Sequence, residues 1–120
     1  METKTLIIRE SISLITLEPL LMKWHKTMVK GVADIERGII ALGAEWHTDA
    51  KKVLIDDGSK AKNLWGFKIY PAETGLRTVQ YVSHINIRPE DGNMGTEITH
   101  RELREKILNL IKKYIPELAV

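Results

Sequence analysis

The stretch VKGVADIERGIIALGAEW, residues 29–46, constrains the fold of this chain more than any other. Two apolar runs, VKGVADI and IIALGAEW, flank Glu36, Arg37 and Gly38, which is the composition of a β-hairpin turn with Gly38 expected at positive φ. In the second arm Ile40, Leu42, Ala44 and Trp46 share one face, and Ile39, Ala41, Gly43 and Glu45 share the other. Both faces stay apolar until Glu45, which places this arm centrally in a sheet, because a strand with one wetted face alternates.

The remaining elements follow from periodicity. TLIIRE suits an opening strand. Leu17, Leu20, Leu21, Trp24 and Met28 form a helical stripe, with Thr16 as the expected N-cap and Pro19 near the helix start. Thr48 is expected to cap a short helix carrying Asp49 in its first turn and burying Ala50, Val53 and Leu54, with Gly58 closing it. NLWGFKIYP alternates Trp65, Phe67 and Ile69 on one face. TVQYVSHINIRP alternates Tyr81, Ser83, Ile85 and Ile87 against His84, Asn86 and Arg88, so these two segments predict a second hairpin. Thr99 and Glu102 read as a capping box for a last helix with an apolar stripe through Leu103, Ile107, Leu110, Ile111, Tyr114 and Leu118. The order β-α-β-β-α-β-β-α predicts an α+β fold: a mainly antiparallel sheet covered on one face by three helices, as a single domain over residues 1–120.

Composition narrows the function classes. The 18 Lys and Arg residues are interleaved with 16 Asp and Glu, so no basic arm or patch points to nucleic acid or a membrane surface. No run approaches the roughly 18 apolar residues of a membrane span. Without cysteine there is no disulfide or thiolate chemistry, and a reducing cytoplasm is the expected location. Three tryptophans and a strand apolar on both faces predict more apolar surface than three helices cover, hence a symmetric homodimer.

The runs DIERGIIALGAEWHTDA, GSKAKNLWGFKIYP and SHINIRPEDGN together resemble an uncharacterised family of small prokaryotic proteins defined as a domain of unknown function. The resemblance spans most of the chain and implies no activity. It draws attention to Asp34, Glu36, Glu45, His47, Asp49, Gly58, Trp65, Gly66, Asn86, Arg88, Pro89 and Asn93. The chain departs from the family pattern at Ala44 and Trp46, around Glu45 and His47, and at Met94, where a basic residue is usual.

Two polar lines carry the candidate chemistry. If residues 44–49 stay extended, Glu45, His47 and Asp49 point the same way about 6.6 Å apart. One imidazole and two carboxylates suit a divalent metal such as zinc, manganese or iron(II). The plainer reading is a strand end running into a helix, whose first turn favours a carboxylate. The second line is His84, Asn86 and Arg88, a platform for an anionic or amide-bearing ligand with Arg88 as the fork, or else the solvated face of a sheet. The loop PEDGNMGTE has two glycines but neither the spacing nor the lysine of a phosphate-binding loop.

Two functional readings follow, and whether the protein is an enzyme stays open between them. One is a polar ligand-binding or metal-dependent hydrolytic domain. In it His47, Glu45 and Arg88 are the catalytic candidates, Asn86, Asp34 and Asn93 contact ligand, and Glu45, His47 and Asp49 hold a divalent metal. The alternative is a non-catalytic homo-oligomeric protein-interaction module whose polar residues hold turns and caps.

Overall fold

The computed structural model describes residues 5–120. The fold is α+β. Five strands, β1 (Leu6–Ile8), β2 (Val29–Asp34), β3 (Ile39–Leu42), β4 (Leu64–Ile69) and β5 (Val79–Gln80), form an antiparallel sheet in the order β1-β3-β2-β4-β5. Three helices accompany it: α1 (Leu14–Lys23), α2 (His47–Asp56) and α3 (Arg101–Tyr114).

The β2–β3 hairpin forms as its alternation requires, and β3 lies inside the sheet between β1 and β2. Gly38 closes the turn at φ +68°, its N–H bonded to the Asp34 carbonyl. The Asp34 carboxylate stiffens the same turn: Oδ1 accepts the N–H groups of Glu36 and Arg37 at 3.0 and 2.9 Å. A methyl group at position 38 would meet only Leu110, 3.9 Å away, so Gly38→Ala tests the backbone alone. The expected loss is about 1 kcal/mol, the cost of a left-handed alanine, read as a shift in the urea midpoint. No shift would mean that the turn relaxes to another conformation.

The helices divide between the two faces of the sheet, which corrects the expectation of a one-sided cover. On one face Val29, Ala33, Ile40, Leu42, Trp65, Phe67 and Ile69 pack with Leu17 and Leu20 of α1 and Ile107, Ile111 and Tyr114 of α3. Gly31 lies opposite Phe67 in register on this face, and a Cβ there would stand 2.4 Å from the phenyl ring, so the glycine makes room for it. On the opposite face Val32, Ile39, Ala41 and Leu64 pack with Ala50 and Leu54 of α2. The double-sided apolarity of β3 is thus satisfied within one chain, because α2 returns across the face that α1 and α3 leave open.

Helix boundaries differ from the capping expectations. α1 starts at Leu14 after Ser13, so Pro19 falls inside the helix, on its exposed side, rather than at the helix start. Thr99 does not cap α3; its N–H and hydroxyl both donate to Asn93 Oδ1, and the helix begins two residues later.

The largest departure is the last strand. The expected β-run over residues 78–89 pairs with β4 only at Val79 and Gln80. Beyond Gln80 the chain peels away: Val82 bridges to Glu97, Ser83 Oγ accepts the Ile85 N–H, and residues His84–Asn86 form a 3₁₀ turn. Local β propensity is overridden here by side chains that satisfy backbone groups at a distance.

Candidate functional site

Asn86 is fully buried, and its amide does what a neighbouring strand would do for β4. Oδ1 accepts the Gly66 N–H at 2.8 Å, and Nδ2 donates to the Gly66 carbonyl at 3.0 Å and to the Thr96 carbonyl at 3.2 Å. Asn93, also fully buried, donates to the carbonyls of Asn86, Gly95 and Glu97. Arg88 covers the end of β4: its guanidinium stacks 3.6 Å from the Trp65 ring centroid and donates to the Lys62 and Leu64 carbonyls. His84, Asn86 and Arg88 therefore do not share one face. His84 is exposed, Asn86 is buried and Arg88 grips the backbone, because the 3₁₀ turn rotates them apart.

The Glu45, His47, Asp49 line is also broken by the backbone. α2 begins at His47, so the extended spacing ends there and Asp49 lies exposed in the first helical turn. Glu45 is half-buried, and its carbonyl lies 3.1 Å from His25 Nε2. Among the described residues no three His, Asp or Glu side chains are grouped as a metal site. Asp34 is buried in its turn, with Oδ2 lacking a partner among the described residues.

His47 is buried in the wall between α2 and β4. Its Nε2 lies 2.8 Å from the Phe67 carbonyl oxygen, which can only accept, so Nε2 carries the proton and Nδ1 keeps its lone pair. Burial, reinforced by the charges of Lys30, Lys68 and His25, lowers its pKa to about 4 against the opposing effect of the Phe67 hydrogen bond. The ring is therefore neutral at pH 7. Ser83 and His47 close on Gly66 from the side: a Cβ there would stand 2.5 Å from Ser83 Cβ and 3.1 Å from His47 Cδ2. Glycine there lets the 81–86 segment and α2 close onto β4.

Above this junction lies a cleft of about 370 Å³, a size that accepts a small molecule. Lys30 of β2 and Lys68 of β4 are register partners on the α2 face of the sheet, and both line it. Trp46, just before α2, and His47 and Thr48 of its first turn also line it, and the peeled segment supplies Val82, Ser83, His84, Ile85 and Thr96. None of these lining residues is acidic. Lys30 has its ammonium 4.9 Å from the Trp46 ring centroid. Its pKa is pushed down by burial and then by Lys68, against a smaller pull from Glu45. α2 has no side-chain cap, so the N–H groups of His47 and Thr48 have no protein partner among the described residues.

Sequence reasoning missed this lysine pair. Each lysine is legible as a charged residue within a mostly apolar strand, VKGVAD or LWGFKI. Their side-by-side placement depends on the β2–β4 register across a separation that no local pattern encodes.

Among known proteins, a family model described as a protein of unknown function matches residues 6–114. No curated protein and no solved structure matches the chain.

Proposed function

The chain belongs to that family, DUF5674, whose description names no reaction, and from this premise we propose that the protein binds a small anionic molecule in the cleft between the start of α2 and the 81–86 segment. One observation carries the reading: Lys30 and Lys68 stand as register partners on one face of the sheet, in a cleft lined by no carboxylate. Two ammonium groups carried by register partners in one cleft repel each other, and Lys68 adds to the burial that lowers the Lys30 pKa. An anion between them offsets the repulsion. The open N–H groups at the start of α2 add donors and a favourable dipole on the same side.

This keeps the ligand-binding half of the sequence expectation and moves the site from Asn86, Arg88, Asp34 and Asn93 to the lysine pair. The hydrolytic half has less support. The His47 Nε2 proton is committed to Phe67, and among the described residues Glu45, His47 and Asp49 form no group that could hold a metal. Asn86 and Arg88 serve the cleft indirectly, by holding the segment that forms its far wall.

Thermal melts at constant ionic strength test the proposal with inorganic phosphate, citrate and benzoate as separate probes. At least one should raise the wild-type midpoint by about 3 °C or more when present well above its Kd. The Lys30→Gln/Lys68→Gln double variant should lose that rise. Equal shifts in both proteins, or no shift with any probe, would overturn it.

A further inference from the structure

Resting on the anion-binding reading, we infer that the cleft is built for a phosphate monoester, an organic molecule carrying a terminal phosphoryl group, in preference to a carboxylate. The argument begins with charge. Lys30 and Lys68 both face the cleft, and Glu45, whose charge acts on Lys30, is not among the residues lining it. A carboxylate neutralises one ammonium and leaves the other facing its neighbour. A phosphate monoester is close to a dianion above its second pKa of roughly 6, and neutralises both.

Donor geometry points the same way. Two lysine ammonium groups offer rotatable donors, the Thr48 hydroxyl lies in the first turn of α2, and the N–H groups of His47 and Thr48 are open. Ser83 Oγ accepts from the Ile85 N–H at 3.2 Å and so keeps its own proton to donate. These donors come from three directions, β2 and β4 below, α2 on one side and the peeled segment on the other. Such an arrangement matches three terminal oxygens of a tetrahedral group better than the two coplanar oxygens of a carboxylate. His47 adds no charge, since its buried ring is neutral, and it serves as a wall of fixed tautomer.

The rest of the cleft requires an organic part. Trp46, Val82 and Ile85 line it beside the polar groups, and the Trp46 side is well exposed, with the residue 57% accessible. A flat or apolar group attached to the phosphate would cover this surface, whereas inorganic phosphate would leave it wet.

Isothermal titration at pH 8 and constant ionic strength with phenyl phosphate, inorganic phosphate and benzoate separates these statements. Phenyl phosphate is expected to bind about tenfold more tightly than either of the others, as the only probe with both a dianionic head and an apolar body. Thr48→Val, a substitution at an exposed residue, and Lys68→Gln should each weaken phenyl phosphate by at least about fivefold, one charge-assisted hydrogen bond's worth, and weaken benzoate less. Circular dichroism confirms that each variant is folded. Benzoate binding as tightly as phenyl phosphate would overturn the phosphate assignment while leaving the anion-binding reading intact. Equal binding of inorganic and phenyl phosphate would overturn the organic part. Binding by none of the three, together with no response in the thermal melts, would remove both.

Discussion

Replacing Asn86 with alanine is expected to destabilise the protein by about 3–5 kcal/mol, the cost of stranding buried backbone groups that have lost a hydrogen-bond partner. The Gly66 N–H and carbonyl, and the Thr96 carbonyl, all bond to the Asn86 amide, and Gly66 lies in the buried part of β4. Alanine cannot reach them, and the gap opposite Gly66 is walled by Ser83 and His47. Equilibrium urea unfolding measures the loss. Asn86→Asp sharpens the test: its carboxylate can accept the Gly66 N–H but faces the Gly66 carbonyl without a donor. At neutral pH it should therefore be as damaging as alanine, and it should recover part of the loss in mild acid, where the carboxyl group protonates. A loss below about 1 kcal/mol for Asn86→Ala would show that this amide does not hold the 81–99 segment to the sheet.

The second large effect is a loss of stability in acid that traces to His47. In the unfolded chain a histidine takes up its proton near pH 6.5, whereas folded His47 stays neutral until about pH 4. Above pH 6.5 both states are neutral and the stability is complete. As the pH falls from 6.5 towards 4 the unfolded state binds more protons than the folded state, so stability decreases. The contribution over that window is about 3 kcal/mol, at roughly 1.4 kcal/mol per pH unit. Asp57, held below the usual carboxylate range by its hydrogen bonds with Arg37 and Arg9, weakens the fold in the same direction. Comparison with His47→Gln isolates the histidine, since glutamine can still donate to the Phe67 carbonyl but does not titrate in this range. Urea titrations at pH 7, 5.5 and 4 should show the wild type losing more than the variant by about this amount. Parallel losses would mean that the ring is not held neutral.

The fate of the two polar lines shows how far a candidate site is legible in sequence. Glu45, His47 and Asp49 form a line only if the backbone stays extended, and the choice between strand and helix at His47 depends on Ala50 and Leu54 finding the open face of the sheet. Similarly, His84, Asn86 and Arg88 have strand spacing, yet the segment leaves the sheet because Asn86 and Ser83 satisfy backbone groups more completely in a turn. The polar residues that drew attention in both lines are in large part the ones that hold the architecture. The lysines that face the cleft drew none, because a single lysine in an apolar strand reads as an ordinary wetted position.

By itself the sequence determined what short-range periodicity can carry: the α+β class, the β2–β3 hairpin with Gly38 at its turn, the shared face of Trp65, Phe67 and Ile69, and the buried stripe of α3 through Ile107 and Ile111. Each depends on steric rules acting within a few residues. Only the tertiary structure decided that α2 covers the face opposite α1 and α3, that residues beyond Gln80 abandon β4 for a turn pinned by Asn86 and Asn93, and that Lys30 stands beside Lys68. Those outcomes join groups that lie far apart in the chain. They are set by which arrangement leaves the fewest buried polar groups without partners and the least apolar surface in water, a balance struck over the whole molecule.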